Sequence, residues 1–320
     1  MAVKLYDSAD GAQCVVVHDT PGAAAATLAN IVVDASEAAI AARGAFTLVL
    51  SGGSLPGTLS AMATLSQPVQ WDRFHIFFVD ERVVPHASPD STLRAAREAL
   101  LDRVTIPGDQ LSPDSNLRAA REVLLDRVPV SGDQVHAILE GASGAAAAAD
   151  DYAAQLAALP ARVLPRDAST GLPVFDLLLL GVGPDGHVAS LFPGHATLSQ
   201  GQGQQQQQQH ADGAAPGPLP PGHHASSGSS GAWVLPVTDS PKPPPQRITM
   251  SLPVINAAVR AVFVALGEGK AEIVARCLEP PPGAPQLPAQ MVLPATGTQW
   301  LLDTASAQRL SLSSAWRPCC

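Results

Sequence analysis

The sequence predicts an α/β protein: a single Rossmann-like domain with a mainly parallel sheet and helices on both faces. Three observations carry this. Strand-length runs such as Phe46–Leu50 (FTLVL), Phe74–Val79 and Phe175–Leu180 (FDLLLL) are apolar at nearly every position rather than at alternate ones. That pattern belongs to strands covered on both faces. The runs alternate with helical patterns, the order that builds parallel sheets. Hydrophobic residues make up 46% and charged residues 15%, enough for a large core, and with 4% aromatics it must be aliphatic and alanine-rich.

Taken in order, Cys14–His18 (CVVVH) reads as the first strand. Pro21–Arg43 is an alanine-rich helix, with Thr20 as N-cap and Pro21 at its first position. Phe46–Leu50 is a buried strand that runs into Ser51-Gly52-Gly53-Ser54 and a helix from about Pro56. Phe74–Val79 is a second buried strand, ending on Asp80-Glu81-Arg82. Ala145–Leu159 is a helix, and Phe175–Leu180 a strand that enters a glycine turn. Arg260–Leu266 (RAVFVAL) is a strand and Glu268–Leu278 a helix. In such sheets ligands bind beyond the carboxyl ends of the strands.

Two stretches are surplus to this pattern. Residues 88–111 and 112–135 are a tandem repeat, identical at 18 of 24 positions. Two copies do not make a solenoid, so this is a local duplication of a helical segment. Residues 199–231 are Gln-, Gly- and Pro-rich with almost no large apolar side chain; such a stretch cannot offset its ordering entropy, and a disordered insertion is expected. His210, His223 and His224 within it read as solvated rather than metal-binding. Without the two surpluses roughly 263 of the 320 residues remain, the size of one α/β domain.

The 19 basic and 28 acidic residues give −9. That excludes general nucleic-acid or anionic-membrane binding, which needs a basic face. Four cysteines without CxxC or zinc-like spacing suggest a reduced intracellular protein without disulfides. The opening MAVKLYDSADG lacks a signal or transit character, so a cytoplasmic location is expected, with a plastid left open should the start be incomplete. No apolar run is read as long enough to span a membrane. Cys319-Cys320 is not a CaaX box and reads as a loose tail.

Four strand-end segments bear chemistry. Ser51-Gly52-Gly53-Ser54 offers backbone amides and a helix start to an anion, or is an ordinary tight turn. Asp80-Glu81-Arg82 presents a guanidinium suited to phosphate, with a carboxylate to orient it, or is a surface ion-pair cluster. Gly181–Gly194 delivers Asp185 and His187 to the sheet edge. Histidine suits proton transfer near neutral pH, and Asp185 is placed to orient it; a purely structural histidine is the alternative. Ser240–Thr249 stiffens Lys242 and Arg247 with prolines, ready to hold an anion, or is a linker. No metal motif and no GxSxG nucleophile elbow is present.

These pieces resemble the 6-phosphogluconolactonase family: LSGGSLP (Leu50–Pro56), WDRFHIFFVDERVVP (Trp71–Pro85), DSN (Asp114–Asn116), FDLLLLGVGPDGHVASLFPG (Phe175–Gly194), SPKPPPQRITMSLPVINAA (Ser240–Ala258) and LPAQMV with WLLD (Leu287–Asp303), in family order over nearly the whole chain. The resemblance implies a glucosamine-6-phosphate isomerase-like fold, no cofactor and no metal. It implies hydrolysis of 6-phosphoglucono-1,5-lactone in the pentose phosphate pathway. His187 would activate water, helped by Asp185. Ser51, Gly52, Gly53, Ser54, Arg82, Lys242 and Arg247 would hold the phosphate, and loop amides of Gly52–Ser54 or Gly183–Gly186 would steady the oxyanion. A small-molecule sugar-phosphate lactone is the partner expected, and a monomer. The family carries the duplicated segment once, with Asn where the first copy has Thr92; which copy seats natively is open. Two other readings remain: an isomerase or deaminase of the same superfamily, and a non-catalytic sugar-phosphate-binding protein.

Overall fold

The computed structural model describes residues 4–8, 12–53, 55–64, 69–101, 132–200, 231–311 and 316–318. Its strands are β1 (Lys4–Ser8), β2 (Gln13–His18), β3 (Phe46–Leu50), β4 (Phe74–Phe78), β5 (Asp80–Arg82), β6 (Leu177–Leu180), β7 (Val234–Val237), β8 (Arg247–Met250), β9 (Arg260–Ala265), β10 (Thr298–Asp303) and β11 (Trp316–Pro318). Eight form one sheet in the order β11-β1-β2-β10-β9-β6-β3-β4. From β2 to β4 every neighbour is parallel, as the uniformly apolar strands require; β1 and β11 add an antiparallel edge.

Both faces are covered. Along β6, Leu177 and Leu179 join Leu28, Ile31 and Val32 of the helix Pro21–Arg43 on one side. Leu178 and Leu180 join Tyr152 and Leu156 of Ala145–Ala158, and Ile273 and Val274 of Ala271–Leu278, on the other. The predicted N-terminal cap of the long helix is present, and a glycine ends it. The Thr20 side chain accepts from the Ala23 N–H, Pro21 is the first residue, and Gly44 closes the end with φ 79°. This helix corrects one expectation. At 23 residues it is long and apolar enough to cross a membrane by length and composition alone, and 44% of its apolar window is buried inside the fold.

Several boundaries shift. β6 begins at Leu177 rather than Phe175, and Asp176 is held instead by the N–H and hydroxyl of Thr47, each at 2.8 Å, and by Arg43. The helix expected from Pro56 spans only Leu55–Leu59 before tightening to a 3₁₀ turn. The Phe74–Val79 run is cut short because the chain changes sheets at Val79, whose N–H donates to the Leu50 carbonyl of β3 at 2.9 Å and whose carbonyl accepts from the Met250 N–H of β8 at 2.7 Å. Beside it the Tyr152 hydroxyl accepts from the Phe78 N–H at 2.9 Å. The chain then enters a three-stranded antiparallel sheet, β5-β8-β7.

The duplicated segment is seated from both ends. From the first copy, Ser91 and the amides of Thr92 and Leu93 dock on the buried Glu81 carboxylate: Oε1 accepts from Thr92 N–H, and Oε2 from Leu93 N–H and Ser91 Oγ. From the second copy, Gln134 donates to the Phe74 carbonyl at 2.6 Å and Val135 bridges to Ile76. One copy thus supplies the entry and the other the exit. Residues 102–131, including Asp114–Asn116, lie outside the described residues, as does 201–230, which holds nearly all of the Gln-rich insertion.

Candidate active site

Because the central strands run parallel, the loops after β3, β6 and β9 gather at one edge, where the small sheet also begins. They enclose a cleft of ≈ 210 Å³ whose lining includes Gly52, Asp80, Arg82, His187, Arg247 and Lys270.

The loop after β6 builds the reactive end. Gly183 N–H donates to the His187 carbonyl and Gly186 N–H to the Gly183 carbonyl, both at 2.9 Å. This turn folds the imidazole back onto Gly183. A Cβ there would stand 1.9 Å from Cε1 and 2.0 Å from Nδ1 of His187, so only glycine accommodates the ring. Phe192 packs against the imidazole, ring centroids 4.7 Å apart. The Gly183 and Gly186 amides are consumed by the turn, which removes them as oxyanion donors.

Nδ1 of His187 meets Asp185 Oδ1 in a short contact. Lys242 Nζ lies 3.2 Å from the same oxygen and 3.1 Å from Nδ1. An ammonium cannot donate to a nitrogen that already carries hydrogen. With Asp185 ionised, both His187 Nδ1–H and Lys242 N–H donate to Oδ1. The lone pair is left on Nε2, which takes no hydrogen bond from a described residue. Burial lowers the imidazole pKa below its ordinary value, opposed by Asp185, so the ring is neutral and basic at neutral pH. For Asp185, burial works upward, but the hydrogen bond and charge of His187, with Lys242, bring its carboxyl down to about 2. Asp185 thus sits against His187, the side chain the sequence placed it beside. Lys242, expected on the phosphate, contacts both members of this pair.

The same cleft is lined by cations. Gly53 takes φ +76°, and the Gly52 and Gly53 amides make no hydrogen bond among the described residues, whereas Ser51 N–H is spent on the Leu179 carbonyl. Ser54 lies outside those residues. Arg82 donates through Nη1 to the Asp90 carbonyl at 2.8 Å. The same Nη1 lies 3.6 Å from where a Gly52 Cβ would stand, so guanidinium and glycine loop converge. Arg247 is its register partner across β5 and β8. Most of its donors are spent on the proline loop: Nε on Pro244 O, Nη2 on Lys242 O and Pro243 O. Its first task is to shape the loop that carries Lys242. Burial, then Arg82, lower its pKa.

Lys270 escaped the sequence reading. It follows the glycine turn Gly267–Gly269 at the carboxyl end of β9, a signal of the same kind as the other loops, but it read as the start of a helix. In the structure Glu268–Lys270 is a 3₁₀ turn before Ala271–Leu278. Asp303, at the end of β10, accepts from Gly267 N–H at 3.0 Å and fixes this turn. Lys270 Nζ donates to Val182 O at 2.8 Å and lines the cleft. Among the described residues, Arg82, Arg247 and Lys270 have no ion-pair partner. An acidic protein therefore concentrates unpaired cations at one sheet edge, beside a neutral histidine.

A family model, glucosamine-6-phosphate isomerases/6-phosphogluconolactonase, matches residues 19–113, 108–220 and 217–301. The chain belongs to this family. The successive matches meet at the duplication and at the Gln-rich insertion, where surplus residues interrupt the family pattern. Among similar family members, the 6-phosphogluconolactonase of Rattus norvegicus is 36% identical over 304 residues, covering 92% of this chain and 93% of that one. The 6-phosphogluconolactonase 3, chloroplastic, of Arabidopsis thaliana is 36% identical over 286 residues, covering 88% and 71%. The solved 6-phosphogluconolactonase of Trypanosoma brucei superposes with a TM-score of 0.61 at 26% identity, covering 93% and 98%.

Proposed function

We propose that the chain is a 6-phosphogluconolactonase that hydrolyses 6-phospho-D-glucono-1,5-lactone to 6-phosphogluconate in the oxidative pentose phosphate pathway. The observation that carries this is the neutral His187, held by Asp185, in one cleft with unpaired cations. Family relatives at 36% identity bear the same activity in their names.

The phosphate is held by Arg82, Lys270 and the amides of Gly52 and Gly53, with the remaining Nη1 hydrogen of Arg247. This places the lactone carbonyl toward His187. Nε2 takes a proton from water as the oxygen attacks the carbonyl carbon, and Asp185 stabilises the imidazolium that forms. The tetrahedral oxyanion collapses, the bond from the carbonyl carbon to the ring oxygen breaks, and the imidazolium returns its proton to that oxygen as the C5 hydroxyl. The carboxylic acid product ionises in water. Positioning one base and one water accounts for a large part of such an acceleration. The protein is proposed to act as a monomer in the cytoplasm; a fluorescent fusion seen in plastids instead would overturn the location.

The test is proton release from freshly made lactone in weak buffer. The wild type accelerates it and His187→Ala loses about 100-fold or more in kcat. No acceleration over buffer by the wild type removes the lactonase reading. An unimpaired His187→Ala removes the base assignment.

A further inference from the structure

We propose that Ser190 is a positioning residue that aims the Asp80 carboxylate into the cleft and keeps it off the arginines. The inference rests on the lactonase reading only for its kinetic test. Ser190 is wholly buried. Its Oγ donates to Asp80 Oδ2 at 2.7 Å and accepts from Arg247 Nη1 at 3.4 Å, and its N–H donates to Thr249 Oγ1 at 3.3 Å. Thr249 is the register partner of Asp80 across β5 and β8. Ser190 is therefore tied to both members of that pair.

A hydroxyl has one hydrogen to give. Here it goes to Asp80, and its lone pair takes a hydrogen from Arg247. Arg247, Ser190 and Asp80 form a directed chain in which Asp80 is the terminal acceptor. Oδ1 of Asp80 takes no hydrogen bond from a described residue, and Asp80 lines the cleft with His187, Arg82 and Arg247. The backbone supports the arrangement at a cost. Ala189, just before Ser190, has φ 52°, a left-handed conformation unfavourable to any residue with a Cβ. A strained residue beside a fully bonded serine is what a site held in one geometry requires.

The hydroxyl spaces an acid and a base that would otherwise pair directly. Without it, Asp80 has an unsatisfied Oδ2 and two guanidiniums within reach, Arg82 and Arg247. An Asp80–arginine pair would occupy the donors meant for the substrate phosphate and turn Oδ1 out of the cleft. Ser190 thus acts through Asp80 on substrate binding rather than on proton transfer.

The experiment is a double-mutant cycle of Ser190→Ala and Asp80→Asn, with circular dichroism to establish folding. Two readouts are used: KM and kcat on the lactone, and the Kd of inorganic phosphate by calorimetry. Ser190→Ala is expected to raise KM by about 10- to 100-fold, the loss of one arginine hydrogen bond to the phosphate, with kcat changed less than about threefold and phosphate bound more weakly. In the Asp80→Asn background the same substitution has no further effect, because coupled residues are non-additive. Ser190→Thr, which keeps the hydroxyl, restores phosphate affinity. Effects that multiply independently in the double variant, or a Ser190→Ala protein with unchanged phosphate affinity, overturn the proposal. The phosphate measurement decides the question even if the wild type turns over no lactone.

Discussion

Gly183→Ala separates the geometry of His187 from the stability of the fold. The added Cβ would stand 1.9 Å from Cε1 and 2.0 Å from Nδ1 of the imidazole, whereas ordinary contacts begin near 3.4 Å. The ring must therefore withdraw by roughly 1.5 Å, and a misplacement of about 1 Å costs on the order of 100-fold. Full loss of a general base costs up to about 10⁴-fold, so kcat should fall between these limits. Gly183 is not among the residues with positive φ. Its backbone accepts alanine, but displacing the packed ring costs about 1–3 kcal/mol, more than the roughly 0.4–1 kcal/mol gained through the unfolded chain. The expected protein still folds and melts modestly below the wild-type temperature, while its lactone turnover, followed by proton release, collapses. In the His187→Ala background the clash is gone and Gly183→Ala adds no further loss. A Gly183→Ala enzyme keeping more than a third of wild-type kcat would refute the placement of the imidazole against this glycine.

Three further outcomes follow from the same geometry. Burial lowers the His187 pKa below 6.5, so the active neutral form persists through neutral pH and the acid limb of kcat/KM has its midpoint below 6.5. Asp185 raises that pKa, so Asp185→Asn moves the limb further down as the plateau falls; a midpoint above 6.5 in the wild type contradicts the burial argument. Lys270→Ala removes an unpaired cation from the cleft and should raise KM by about 10- to 100-fold with kcat nearly unchanged; an unaltered KM dismisses Lys270 from phosphate binding. Excising residues 108–131 joins Pro107 to Gly132 and keeps the Glu81 seat and the Gln134 seat. The melting temperature and KM should both stay close to wild type, and an insoluble or inactive product speaks against the shared seat.

Local pattern made the parallel core readable. β3, β6 and β9 are so uniformly apolar that no other environment suits them, and Thr20-Pro21 marks the start of the long helix. β5, β7, β8, β10 and the antiparallel strands β1 and β11 were missed. Arg247–Met250 is a strand only because β5 and β7 pair with it, and its flanking prolines point to an extended linker. The dyad was legible because Asp185 and His187 sit on one glycine turn. The division of labour among the cations was not. Whether Lys242 faces a phosphate or a histidine depends on the turn that Arg247 imposes on Pro243 and Pro244, and Lys270 reaches the cleft because Asp303, 33 residues further on, anchors Gly267. The seat of the duplicated segment was equally hidden, since two nearly identical sequences compete for it and contacts to Glu81 and Phe74 decide.

The pairing of β5 with β8 sets Arg82 directly opposite Arg247. Like charges facing each other across a strand pair oppose folding, so the vacant enzyme is the less stable form, and a dianion between the two guanidiniums relieves the repulsion. Binding only to the folded state raises stability with the logarithm of free ligand. The lifetime of this protein in a cell should therefore track the supply of its sugar phosphate: well fed, it resists unfolding and proteolysis, and starved of substrate it becomes the easier target for removal.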